Sequence, residues 1–494
     1  MRTAGPTVGT RFPDLGWAWP SGDLDLLIRA VAASDEDAAF DAARTWLSEH
    51  DIDVAGFREH RLLAALSERF GKRLAAFPAQ PRLAGLQRML WTRSRLAMRE
   101  AEPVLAALAA SGIPVMLMKG AARVAIEPGA ERSRISHDID LLVPPSSMDA
   151  AFECLVAGGW EPATGVSTHF LRGRLGSVRA LNFLRGDYGD IDLHQAAYHP
   201  VHASAADDAG LWLRAVPARF AGVAVRVPST ADRLALAIAH GCLDAHAHSD
   251  WLVDCDAAAR RDDIDWPTFL AVVGARGLAV PAAVALSYLA AAIGSPIPHA
   301  VVERLVAQAR SRPLVERLSA LLQARPRREG ERVLPLVRWL AKLRRMRAGP
   351  KPRGGLPDDL LRGRASVGAR SGAPDLSARL RADLPATLAR PGRHRIRLVI
   401  DCHVPATRRR LEFELRSPSG HIARLRYRKI DRGGGLRRLV FEGSVPVRDG
   451  GPQTLEARPA RYLRRGASPE DLAQYGAVPF SIVEAGLSDQ ESRD

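Results

Sequence analysis

IPVMLMKGAARVAIEPGAERSRISHDIDLLV, running from Ile113 to Val143, is the stretch that decides the fold. It begins with a short apolar run, Ile113 to Met118, placed after a glycine as expected of a buried strand. Lys119-Gly120 ends the run, and AARVAIE reads as a short helix. IDLLV, Ile139 to Val143, is a second buried strand with Asp138 and Asp140 at its head. Side chains two apart on a strand project from one face, so these carboxylates point together. Adjacent carboxylates repel one another and gain most when a divalent cation lies between them. Magnesium prefers oxygen ligands and bridges readily to phosphate, so it suits the pair.

Outward from this core, SSMDAAFECLVAGG reads as a helix, with Ser146 placed to cap it and Gly158-Gly159 to stop it. VRALNFL and DIDLH flank the turn-forming Gly186-Asp187-Tyr188-Gly189 and read as a hairpin. Its second strand carries Asp190-Ile191-Asp192, which offers Asp192 as a third carboxylate. An Asp-x-Asp pair alone arises often by chance, as solvated turn residues. The strand context and the third carboxylate are what make this one a site.

The flanks are helical. Residues 1–22 are rich in Gly and Pro and form a loose lead-in, and 23–111 carry apolar residues at three- and four-residue spacing. The core spans 112–228, and helices return over 229–347 without a fixed repeat period, which argues for a bundle and against a solenoid. Residues 348–378, rich in Gly, Pro and Arg, read as a linker. Beyond it, 379–485 alternate charged and apolar residues between turn signals, the pattern of an antiparallel β-rich accessory domain. The expected class is α+β: a mixed sheet with helices embedded in a helical bundle, plus a C-terminal antiparallel β domain.

Composition narrows the partners. The 494 residues are 47% hydrophobic, enough for a sizeable core, and 70 Lys and Arg stand against 55 acidic residues for a net charge of +15. That balance favours anionic partners, unless arginine is simply abundant on solvated faces. The four cysteines, Cys154, Cys242, Cys255 and Cys402, form no close pair, so neither a disulfide framework nor a zinc knuckle follows. No signal-like or membrane-spanning apolar run is read, and a cytoplasmic location is expected. No nucleophile-elbow turn and no P-loop lysine motif occurs.

The quoted stretch, followed by a helix and then GDIDLHQ, resembles the uncharacterised bacterial nucleotidyltransferase family of the DNA polymerase β-like superfamily. The resemblance covers roughly residues 50–310, including ADRLALAIAHGCLDAH and WLVDCDAAARRDDIDWPTFLAVVGARG. It implies a mixed sheet packed on helices, with Gly120 in the turn that meets nucleotide phosphates. Asp138 and Asp140 would hold the metals, two Mg2+ ions with Mn2+ as a substitute, and Asp192 would be the third carboxylate. Nucleotide contacts are expected at Lys119, Gly120, Ala121 and Arg123. Two residues depart from the superfamily pattern. Ala121 stands where Ser or Gly is usual, so no hydroxyl is available in the phosphate turn. His137 replaces a small residue before the first Asp. His137, Asp190 and His194 are candidates for contacts to the acceptor or to the metal ligands.

The implied activity moves a nucleoside monophosphate from an NTP to an acceptor, releasing pyrophosphate. The alternative is a catalytically impaired nucleotide- or polyanion-binding module, associated with nucleic acid or a membrane surface. Residues 325–353 hold eleven basic and two acidic residues and are the candidate surface for such an anionic partner. The bland reading of that run is a helix that caps the bundle. His240, His246 and His248 with Asp244, Asp250 and Asp254 form a second group of metal-competent residues, for which packing or a cleft role is the favoured reading.

Overall fold

The computed structural model describes residues 10–136, 138–163, 171–172, 175–202, 208–242, 250–327 and 331–340, and the backbone of strands between 382 and 489. His137, Asp244, His246, His248 and the linker 348–378 lie outside the described residues. Contacts divide the chain into two compact units, residues 1–154 with 191–354, and residues 155–190 with 355–494.

Four helices open the chain: α1 (Asp23–Ala32), α2 (Glu36–Glu49), α3 (Phe57–Phe70) and the 31-residue α4 (Gln80–Ala110). The Asp35 side chain accepts from the amides of Asp37 and Ala38, satisfying donors that α2 would otherwise leave unpaired. On α4 the buried positions Leu90, Ser94, Ala97, Ala101, Val104, Leu105 and Leu108 recur at three- and four-residue spacing, so one stripe faces inward.

Next come β1 (Met116–Leu117), α5 (Lys119–Ile126), α6 (Ala130–Ser133), β2 (Ile139–Leu142) and α7 (Met148–Ala157). Ser146, expected to cap α7, instead lies inside a 3₁₀ turn, Pro145–Ser147, that leads into it. Pro144 and Pro145 fix that turn, and Gly159 with φ +78° follows the helix. The strands β3 (Glu161–Pro162), β4 (Ala180–Arg185) and β5 (Gly189–His194) come next, with Gly186 at φ +55° in the β4–β5 turn. A short helix, α8 (Ala209–Leu213), leads to β6 (Val216–Phe220) and β7 (Val223–Val227).

The seven strands form one mixed sheet in the order β3-β4-β5-β2-β1-β7-β6. The β6–β7 hairpin is absent from the sequence reading. Its turn, Ala221-Gly222, has positive φ at both positions (49° and 80°). That is the backbone of a two-residue hairpin turn, concealed because alanine rarely adopts it.

The later helices are α9 (Thr230–Gly241), α10 (Asp250–Ala259), α11 (Trp266–Ala275), α12 (Ala279–Tyr288), α13 (His299–Ser311) and α14 (Leu314–Ala324). Every residue of α12, AVPAAVALSY, is buried, as expected of a helix that is apolar all round. One hydrophobic cluster contains Leu27 and Ile28 of α1, Leu62 and Leu66 of α3, Leu234 and Ile238 of α9, and Leu286 of α12. Early and late helices therefore share a core. Polar ties reinforce it: the Tyr288 hydroxyl donates to Asp25 at 2.7 Å, and Trp19 Nε1 donates to Ser287 at 3.3 Å. Among the described residues, no helix is long and apolar enough to cross a membrane.

In the second unit, strands β8 to β14 (Ala382–Asp383, Gly392–Cys402, Arg410–Arg416, Ile422–Gly433, Leu436–Val447, Thr454–Leu463 and Phe480–Asp489) pair antiparallel in the order β14-β9-β12-β11-β10-β13-β8.

The helices α9 and α10 meet where Gly241 lies against the Trp251 indole, so closely that a Cβ at position 241 would overlap the ring. Gly241→Ala is expected to cost about 1–3 kcal/mol through overpacking. It should be read as a lower thermal-unfolding midpoint; an unchanged midpoint would show that Trp251 can move aside freely.

Candidate functional site

The site is made by strand register. In the parallel β2–β5 ladder Asp140 pairs with Asp192 and Leu142 with His194, so Asp140, Asp192 and His194 share one face of the sheet. The intervening Ile139, Leu141, Ile191 and Leu193 are all buried. Ligand atoms of Asp140, Asp192 and His194 all lie within 4.8 Å of one another. His194 Nε2 is 3.1 Å from Asp140 Oδ1, and both residues are almost fully buried.

Lys119 reaches the same oxygen. Its Nζ is 2.5 Å from Asp140 Oδ1. The chain passes directly from β1 into α5 at this residue, and Lys119 has φ +51°, a conformation unfavourable for any side chain with a Cβ by about 1–3 kcal/mol. Burial pushes the Asp140 carboxyl up, but Lys119 and His194 outweigh it and hold the group well below the usual carboxylate range. Burial likewise pulls the Lys119 amine down, and Asp140, Asp138 and Asp192 together outweigh that and hold it above its ordinary value. The pair is charged.

Asp138 lies in the bend just before β2 and lines the adjoining cleft; it is not one of the three residues grouped within 4.8 Å. Its backbone carbonyl accepts from the Ser136 hydroxyl at 2.7 Å, and the Ser136 amide donates to Ser94 on α4 at 3.4 Å. The long helix thereby fixes the approach to the strand. Asp190 is committed elsewhere, accepting from Asn182 Nδ2 at 2.5 Å. Lys119, Gly120 and Arg123 line the cleft, whereas Ala121 is buried within α5.

Two carboxylates and an imidazole at this spacing fit a divalent cation. Carboxylates suit magnesium and manganese, and the imidazole tilts the set toward the softer of the two.

The cleft also holds residues that the sequence reading did not connect. Arg134, four positions before Asp138, donates Nε to both oxygens of Asp254 (2.8 and 2.9 Å) and lies 3.4 Å from Asp250. Arg61 donates to Asp250 at 3.0 Å, and Arg123 bonds Glu127 at 2.7 Å and Asp254 at 3.2 Å. Arg233 is 3.6 Å from Glu127. Asp250 and Asp254 thus hold arginines of the core, while His240 stands on the cleft wall. One signal was available: Asp250 and Asp254 sit four apart on a helix, which turns two carboxylates to one side. Their partners, far away in sequence, carried no such mark.

Residues 54–294, which contain the mixed sheet and every residue of this cleft, match the family described as Uncharacterised nucleotidyltransferase. The match agrees with the resemblance carried by the Lys119-Gly120 turn and the two Asp-x-Asp strands. A search of curated proteins and a search of solved structures each give no match.

Because Lys119 and a cation would compete for one oxygen of Asp140, Lys119→Met is expected to tighten Mn2+ binding several-fold. Titration calorimetry of the full chain measures it. Unchanged or weaker binding would mean that the amine does not occupy the cation's place.

Proposed function

We propose that this protein is a metal-dependent nucleotidyltransferase that moves a nucleoside monophosphate from an NTP to a hydroxyl or phosphate acceptor and releases pyrophosphate. The observation that carries the reading is the Asp140–Asp192 register, which brings two carboxylates and His194 together on a buried face beside an arginine-lined cleft. The family match over 54–294 supports it.

In this reading Asp140, Asp192 and His194, with Asp138 at the cleft edge, hold one or two divalent cations, Mg2+ or Mn2+. A bound cation would neutralise the triphosphate and lower the pKa of the acceptor hydroxyl. The chain's own groups do the rest. Asp192 takes the acceptor proton. Lys119, released from Asp140 when a cation binds, balances phosphate charge. The α5 start at Gly120 presents amides to the phosphate chain. Before a cation binds, His194 keeps the Asp140 carboxylate oriented through its hydrogen bond.

The β-rich segment 379–485 is assigned as an accessory domain, and the basic run 325–353 as the surface for an anionic partner. Which acceptor is used is a property of the cleft's outer parts, because fold does not fix substrate.

The test is incubation with α-labelled ATP, CTP, GTP and UTP, divalent cation and candidate acceptors. Label transfer should fall at least about a hundredfold in Asp140→Ala and Asp192→Asn, the scale expected when a metal-held phosphoryl-transfer centre is lost. Transfer that survives both substitutions would sink the assignment, and nucleotide binding without transfer would favour a binding module. Chelation should stop the reaction, and Mn2+ should restore it at least as well as Mg2+.

A further inference from the structure

Of everything in the cleft, the orientation of one guanidinium says most about what the cleft takes. Arg134 has two of its three nitrogens tied down. Nε is held by both oxygens of Asp254, and Nη1 donates to the Ile135 carbonyl at 2.8 Å beside Asp250. Nη2 makes no hydrogen bond among the described residues. The fork lies flat over Gly120: a Cβ built there would sit 3.0 Å from Cζ, 3.1 Å from Nη2 and 3.3 Å from Nη1. Position 120 therefore has a second reason to be glycine, since a Cβ there would crowd the guanidinium and push it from this position.

Around Arg134, the residues Arg61, Arg123 and Arg233 are tied to Asp250, Asp254 and Glu127, so the neighbouring guanidinium groups are held as well. A planar, fixed fork with a free N–H edge is the group best suited to phosphate oxygens.

We infer that Arg134 is the phosphate-binding residue of this cleft, taking the triphosphate chain of a nucleotide on Nη2 at the start of α5. It replaces the hydroxyl that Ala121 cannot supply. Asp254 is its positioning residue. This inference rests on the proposed nucleotide chemistry for the identity of the ligand, but not on turnover.

The experiment is titration calorimetry of the full chain with inorganic tripolyphosphate and with ATP plus divalent cation, alongside thermal melts. Arg134→Lys keeps the charge and loses the fork, and Gly120→Ala displaces the fork without changing any charge. Each should weaken tripolyphosphate binding about tenfold or more, the loss of one charge-assisted hydrogen bond. Asp254→Asn removes a negative charge from the cleft, so simple electrostatics makes the anion bind more tightly. Loss of positioning makes it bind more weakly, and weaker binding is expected.

Binding within twofold of wild type in both Arg134→Lys and Gly120→Ala, with unchanged melting, overturns the inference, as does a wild-type protein that binds neither ligand. The two readings separate cleanly. Arg134-dependent binding without label transfer upholds this inference and defeats the proposed reaction. Transfer that is indifferent to Arg134→Lys does the reverse.

Discussion

A parallel strand pair in register holds the rest of this protein's chemistry in place. Once β2 and β5 align Asp140 with Asp192, two carboxylates and His194 must share a buried face. Burying such charge is costly unless it is paired. The fold meets that cost locally: Lys119 is driven onto Asp140 from a backbone conformation that a lysine otherwise avoids. The strained turn, the ion pair and the strand register are one arrangement. A shift of register by a single residue would turn one of the two carboxylates to the opposite face, among the isoleucines and leucines.

Support for this arrangement comes from distant parts of the chain. Ser94 on α4 fixes Ser136, which fixes the Asp138 carbonyl. From the other side, Asp250 and Asp254 on α10 clamp Arg134 and Arg61, while Gly241 lets α9 pack closely on Trp251 of the same helix. The late helices thus do more than cover the sheet. They supply the carboxylates that orient the core's arginines, and they share a hydrophobic core with the first helices.

Much of this was legible in the residues. Short apolar runs ended by Lys119-Gly120 and opened by Asp138-Ile139-Asp140 identify the strands, and the family match over 54–294 agrees with the resemblance they carry. The second Asp-x-Asp offers Asp192, the register partner of Asp140, whereas Asp138, expected to point with Asp140, lies in the bend before β2 and outside the group that Asp140 forms. What the sequence concealed were long-range relations. The role of His194 depends on which strand neighbours β5. The arginine clamps join residues more than a hundred positions apart, and charge pairs leave no periodic trace. Local exceptions hid as well: Ala221 in a positive-φ hairpin turn, and Ser146 drawn into a 3₁₀ turn by the prolines before it.

The cleft lining is itself nearly self-neutralised. Arg61, Lys119, Arg123, Arg134 and Arg233 face Glu127, Asp138, Asp140, Asp250 and Asp254. Among the described residues the lining itself therefore adds little net charge to attract an anion, and the chain's surplus of +15 lies outside it. Beyond the Nη2 edge of Arg134, an incoming ligand must exchange partners with ion pairs already formed. For the nucleotide proposed here, discrimination would then come after encounter, in how many existing pairs each ligand can replace, and so through dwell time.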